Sequence, residues 1–239
     1  MSDQKRKIII DCDPGHDDAV AIMLAARNPK LELLGITTVR GNQTLEKVTT
    51  NALNVCQYLN IDVPVCKGLS DAIVRKAAPV EERIHGDTGL NGPTFGPLTK
   101  ELDPRHAVDF IIETVMSSDT PVTLVPTGPL SNIAMAIKKE PKILDNIDEI
   151  VLMGGVYEHG NVTPAAEFNI YCDAEAAYAV FTCGRPIVMM GLDITRKALC
   201  YPEIVERMSK VQTTAGKLFV DLMRFFSMTQ KKIFGWEGG

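Results

Sequence analysis

Four carboxylates fall within the eight residues Asp11-Cys12-Asp13-Pro14-Gly15-His16-Asp17-Asp18. Like charges crowded this closely are relieved by taking up protons or by a bound cation. Carboxylate oxygens are hard ligands that suit Mg²⁺ or Ca²⁺, and Ca²⁺ takes about six to eight of them. Pro14 fixes one backbone angle and Gly15 permits a sharp change of direction, so acids on either side can fold back toward one point. Asp17 and Asp18 also suit a helix start, where carboxylates cap free N–H groups and complement the dipole. That simpler role needs neither Asp11 nor Asp13, so the four together favour a cation site.

Other candidates carry less information individually. Glu167 and Asn169 are two apart, so in an extended segment they would face the same side and reach one ligand; an ordinary solvent-facing loop is the plain alternative. His85 lies in a glycine-bearing loop, a reasonable place for a substrate contact and equally for an idle surface histidine. His16, His106 and His159 read as structural or solvated. Gln230 and Phe234 are four apart and share a helix face, although packing alone explains Phe225, Phe226 and Phe234. The six cysteines contain no C-x-x-C pair, so neither a zinc site nor a disulfide framework follows, and buried free thiols are the better reading. No G-x-x-x-x-G-K-[ST] loop and no G-x-G-x-x-G after the first strand exist. Asp-x-Asp after a first strand also suggests a phosphatase of the haloacid dehalogenase type. Pro14-Gly15 directly after Asp13 ranks that reading last.

These residues need strand ends and helix starts to hold them. Residues 7–11 form a short apolar run ending in acid, the pattern of a strand buried on both faces, and residues 17–27 follow as a helix. Residues 32–39 read as a second strand. Leu45, Val48, Ala52, Val55 and Leu59 recur at helical spacing. Residues 63–66, 122–125, 150–153 and 187–190 read as further strands, with a helix marked by Leu130, Ile133, Ala134 and Ile137 and one over 213–234. Such alternation predicts an α/β fold: a mostly parallel sheet with helices on both faces, Rossmann-like, as one domain over 1–239. In such sheets the site lies beyond the carboxyl ends of the strands. Two polar, Gly- and Pro-bearing stretches, residues 68–103 and 157–166, read as binding loops or lids.

Composition narrows the class. With 25 basic and 30 acidic side chains the net charge is −5, and 45% of residues are hydrophobic. An acidic balance argues against a nucleic-acid binder. No apolar run reaches the about 18 residues of a membrane span. The basic N-terminal patch leads into an apolar run too short for a signal peptide, so a cytoplasmic protein is expected.

The acidic turn resembles the D-x-D-P-G-x-D-D fingerprint of the inosine–uridine-preferring nucleoside hydrolases. Gly41-Asn42, His85-Gly86-Asp87, Pro126-Thr127-Gly128-Pro129-Leu130-Ser131-Asn132, Met153-Gly154-Gly155 and Glu167-Phe168-Asn169 resemble the family's other blocks in the same order. The overall wording is most similar to the bacterial pyrimidine-preferring branch. The resemblance implies hydrolysis of the N-glycosidic bond of a ribonucleoside to ribose and free base, with Ca²⁺ as cofactor. By it, Asp13 and Asp18 hold Ca²⁺ together with the main-chain carbonyl of Thr127. Asp17, Asn42, Asn161, Glu167 and Asn169 line the ribose pocket, Met153 packs near the sugar, and Asp13 is the general base. Gln230 falls in a wall of the base pocket. Phe234 stands there without the hydroxyl that could help the leaving base.

Positive charge develops on the ribose ring as the glycosidic bond breaks, so carboxylates around it are the expected chemistry. A cation gripping the diol would fix the sugar and make a nearby water more acidic. The resemblance also implies a homo-oligomer, dimer or tetramer, and a role in nucleoside salvage. Family members continue into G-G-P-x-H-D, where this sequence stops at Gly238-Gly239. A C-terminal portion bearing a further metal ligand and a histidine is therefore expected to be missing. A shortened, inactive nucleoside-binding protein is the alternative.

Overall fold

A computed structural model describes residues 5–76, 78–80 and 82–239. Residues 1–4, part of the basic N-terminal patch, and residues 77 and 81 of the long loop lie outside the described residues. The elements run β1 (Arg6–Cys12), α1 (His16–Arg27), β2 (Leu31–Thr38), α2 (Leu45–Leu59), β3 (Val65–Lys67), α3 (Glu82–His85) and α4 (Ala107–Ser117). They continue with β4 (Val122–Pro126), α5 (Ser131–Lys139), a 3₁₀ turn (Pro141–Asn146), β5 (Ile147–Met153), α6 (Phe168–Cys172) and α7 (Ala174–Phe181). β6 (Ile187–Met190), α8 (Leu192–Thr195), α9 (Pro202–Ser209) and α10 (Thr214–Phe234) complete the chain.

The six strands pair in parallel, in the order β3-β2-β1-β4-β5-β6. β1 shows why. Ile8, Ile10 and Cys12 point into one apolar cluster with α1, α2 and α10, while Ile9 points into the other with α4, α5 and α7. Burial of each such isoleucine stabilises by roughly 1.5–3 kcal/mol, so a strand apolar on both sides belongs at the centre of a covered sheet. The expected layers are therefore present.

The order reverses direction between β1 and β4, with Asp11 paired to Thr37 on one side and to Pro126 on the other. Loops leaving neighbouring strands diverge there and open a crevice at the carboxyl ends. α2 ends at Asn60, whose φ of 50° puts it in the left-handed region. Thr213 caps α10 by accepting the Gly216 N–H at 3.0 Å. Among the described residues no helix is long and apolar enough to cross a membrane. Cys12, Cys56, Cys66 and Cys172 are buried free thiols; Cys183 and Cys200 are partly exposed.

Two local expectations are corrected. The 68–103 stretch is not wholly a loop, because it contains the single turn α3. Glu167 and Asn169 do not share the face of an extended segment. Glu167 is the N-cap of α6 and Asn169 lies inside it, so helix geometry, not strand alternation, sets their relation.

Candidate active site

β1 carries Asp11 and Asp13 to the crevice as adjacent loops part. Asp13 is 1% exposed, and its Oδ2 accepts the Asn42 backbone N–H at 2.7 Å. Asn42 Nδ2 also donates to the Asp13 carbonyl at 3.2 Å. Asp13 Oδ1 has no partner. Glycines wall the carboxylate: a Cβ on Gly41 would lie 2.0 Å from Oδ2, and one on Gly128 2.5 Å from Oδ1. Backbone from two loops thus approaches the carboxylate as closely as atoms allow.

Asp18 faces Asp13 from the first turn of α1. Its Oδ2 accepts the Gly15 N–H at 3.1 Å and its Oδ1 the Thr127 hydroxyl at 2.5 Å. The helix-capping role and the site role thus coexist in one side chain. Burial, then the charge of Asp18, holds the Asp13 carboxyl well above the usual range. Burial, then the charge of Asp17, raises Asp18 to about 7. Two acids buried this close disfavour each other's charged form, and a nearby positive charge would favour it.

Thr127 hangs beyond β4, its N–H donating to the Asp11 carbonyl at 2.8 Å. Asn169 Nδ2 donates to the Thr127 carbonyl at 2.9 Å and to the Met153 carbonyl at 3.0 Å. Glu167 is 2% exposed and its Oε2 accepts the N–H groups of Gly155 at 3.0 Å and Ile170 at 3.1 Å. Burial raises its pKa against those hydrogen bonds. Hydrogen bonds thus link Asp18, Thr127, Asn169 and Met153 and separately Asn42 with Asp13, while Glu167 caps the helix that carries Asn169, so these residues gather at four strand ends. Asp17 is exposed on α1 beside them.

His85 is buried at the end of α3, its ring against Gly15 and its Nδ1 3.0 Å from His16 Nδ1. The two rings stack with Phe226, and Phe225 stacks on His16. Gln230 is buried and its Oε1 is unpaired. Phe234, expected on the same face, stands 49% exposed against Trp236. Asn161 is not joined to the residues at the strand ends. It lies exposed in a turn closed by its own N–H to the Ala166 carbonyl, and Arg196 binds the neighbouring His159 and Gly160 carbonyls.

Asp11, read from the sequence as one of the acids of a cation site, is corrected: it lies in a layer beneath, whose partners Thr37 and Asn132 the sequence did not reveal. Asp11 is fully buried, and its Oδ1 accepts from Thr37 Oγ1 at 2.6 Å and Asn132 Nδ2 at 2.8 Å. Burial raises it to about 7 despite those donors. Asn132 also reaches the Thr38 carbonyl and the Leu69 N–H. The available signal was Ser131-Asn132, polar residues on the otherwise apolar face of α5. His16, read as structural or solvated, is fully buried, and its Nε2 donates to the Asn91 carbonyl at 2.8 Å.

Among the described residues no three His, Cys, Asp or Glu side chains converge as a ready cage for a metal. A hard cation nonetheless fits the donors present. Asp13 offers an unpaired buried oxygen, Asp18 a second carboxylate in electrostatic contact with it, and Thr127 a carbonyl with a second lone pair. A positive charge there would favour the ionised form that burial otherwise disfavours in both acids.

Comparison with known proteins agrees with this geometry. The family model for inosine-uridine preferring nucleoside hydrolases matches residues 8–239. The pyrimidine-specific ribonucleoside hydrolase RihB of Escherichia coli O17:K52:H18 is 57% identical over 236 residues, covering 99% of this chain and 75% of that protein. The protein of the same name from Shigella flexneri is 56% identical over the same length. Among solved structures, a purine-preferring ribonucleoside hydrolase from Gardnerella vaginalis superposes with a TM-score of 0.93 at 38% identity, over 98% of this chain and 76% of that one. A plant nucleoside hydrolase gives 0.91 at 31% identity, over 98% and 74%. The chain belongs to the inosine-uridine preferring nucleoside hydrolases, enzymes that hydrolyse the N-glycosidic bond of ribonucleosides and whose membership implies a metal cofactor.

Proposed function

We propose that this hydrolase acts on pyrimidine ribonucleosides, uridine and cytidine, with Ca²⁺ held by Asp13, Asp18 and the Thr127 carbonyl. The observation that carries the reading is Asp13: a buried carboxylate with one oxygen fixed by Asn42 and the other unpaired. Pyrimidine preference is supported by the names of the relatives that share more than half their residues with this chain. When bound, Ca²⁺ supplies a Lewis acid that fixes the sugar diol and makes an adjacent water more acidic.

The side chains do the rest. Asp13 accepts the proton of the attacking water through its free Oδ1, with the Asn42 N–H fixing the carboxylate plane. Asn42, Asp17, Glu167, Asn169 and Asn161 bind the ribose, and Met153 packs against it. Glu167 and Asp17 place negative charge near the ring as it turns positive. Glu167 is held for this by the Gly155 and Ile170 N–H groups, and Asn169 by the Thr127 and Met153 carbonyls. His85 and Gln230 face the base. Asn161 reaches the sugar only if its exposed turn folds inward. We further propose a cytoplasmic enzyme with one domain, assembled as a dimer or tetramer.

Ribose release from uridine, cytidine and inosine tests the reading. Release is expected from the two pyrimidine nucleosides, lost on chelation and restored by Ca²⁺, and abolished in Asp13→Ala. Retained turnover in Asp13→Ala would assign the base elsewhere, and preference for inosine would refute the pyrimidine assignment.

A further inference from the structure

Gln43 lies just before the Thr44 cap of α2, and Lys47 and Asn51, four apart, share one face of its first turns. All three donate to main-chain carbonyls of the segment that follows α3. Gln43 Nε2 lies 3.4 Å from the Gly86 carbonyl and 3.2 Å from the Asp87 carbonyl, with Glu82 Oε1 also at 3.2 Å. Lys47 Nζ donates to the same Asp87 carbonyl. Asn51 Nδ2 is shared between the Thr88 carbonyl at 3.0 Å and the Pro14 carbonyl at 3.1 Å. One buried amide thus joins the segment directly to the acidic turn.

The segment is shaped to be held this way. Gly89 has a φ of +81°, and a Cβ there would lie 2.9 Å from Gln43 Cγ and 3.2 Å from Asn51 Nδ2. Thr88 and Asn91 lock the turn from inside, with Thr88 Oγ1 donating to Asn91 Oδ1 at 2.6 Å. Leu90 is buried in the core beneath. The docked segment then presents the Asn91 carbonyl to His16 and seats His85 on Gly15. Gln43 is fully buried and Asn51 5% exposed, so water cannot replace either donor without the segment lifting.

We propose that Gln43 and Asn51 are positioning residues for nucleoside hydrolysis: their amides clamp residues 86–88 and so hold His85 and the acidic turn in register. The catalytic half of this inference rests on the function proposed above; the clamping half does not.

The test uses Gln43→Met and Asn51→Leu, which keep volume and remove the donors, read by amide hydrogen exchange and by uridine kinetics. Each is expected to speed exchange over residues 86–92 about tenfold while β1 and β4 stay protected. KM for uridine should rise about fivefold or more, with kcat changing less, as for a lost wall of the binding site. Gln43→Asn, which keeps an amide on a shorter arm, should give a smaller change of the same sign if the larger substitution does not fold. Unchanged exchange over 86–92, or exchange that rises equally across the sheet, overturns the clamp. Faster local exchange with unaltered KM overturns the positioning role. Failure of the proposed function would appear separately, as a parent protein that releases no ribose, and exchange would still decide the clamp.

Discussion

Gly128→Ala places one methyl group against the unpaired oxygen of Asp13. The added Cβ would stand 2.5 Å from Oδ1, 3.1 Å from Asp13 Cγ and 3.1 Å from Val39 Cγ1. Ordinary contact begins near 3.4 Å, so the carboxylate must retreat by about 0.9 Å, and Gly41 blocks retreat on the Oδ2 side. Turning it instead breaks the 2.7 Å bond from the Asn42 N–H, a charge-assisted bond whose net worth is about 1.5–3 kcal/mol. An off-rotamer side chain adds about 0.5–1.5 kcal/mol. The combined penalty of about 2–4.5 kcal/mol falls on the carboxylate proposed as the base, and displacement on this scale lowers turnover about a hundredfold. Ribose release from uridine at saturating Ca²⁺ measures the loss, and thermal melting checks that the fold survives. Turnover within about threefold of the parent in a folded Gly128→Ala protein would refute a base and cation site at Oδ1.

Stability should depend on pH and metal together. Asp13 and Asp18 have folded pKa values above their unfolded ones, so the metal-free fold binds the extra protons. That contribution to stability is fully present below about pH 4 and is lost as pH rises through 7. Ca²⁺ should therefore raise Tm more at pH 8 than at pH 5 in calorimetric scans; equal shifts would contradict the coupling. His16 has the opposite sign, because burial, then the neighbouring His85, lowers it to about 4. The unfolded chain binds its proton first, so stability is lost as pH falls from about 6.5 toward 4, and His16→Gln should flatten that limb of a Tm–pH curve. Glu167→Ala removes the α6 cap and should cost about 0.5–2 kcal/mol in urea unfolding. Glu167→Gln should recover most of that stability but not the ribose release.

The parts of the fold legible in the sequence were those set by local pattern. The isoleucine run of β1, the period of α2 and the Pro14-Gly15 turn each encode their conformation within a few residues, and together they place Asp13 and Asp18 at a strand end. Long-range partners were not legible. Asn132 binds Asp11 from 121 residues away and His16 meets Asn91 75 residues on, and no spacing rule pairs them. α3 is a single turn of four residues, too short for periodicity to mark. Glu167 misled because a residue before a short helix reads equally well as loop, and its capping bond to Ile170 exists only once α6 forms. Phe234 misled because helix spacing gives a face and not its depth: Gln230 lies under the fold and Phe234 at its margin.

Calorimetric titration of Ca²⁺ into metal-stripped protein probes most directly whether the turn after β1 exists to hold a divalent ion. The expected result is one ion per chain, with binding lost in both Asp13→Asn and Asp18→Asn. Undiminished binding in both variants would show that the ion, and the chemistry assigned to it, belong somewhere else.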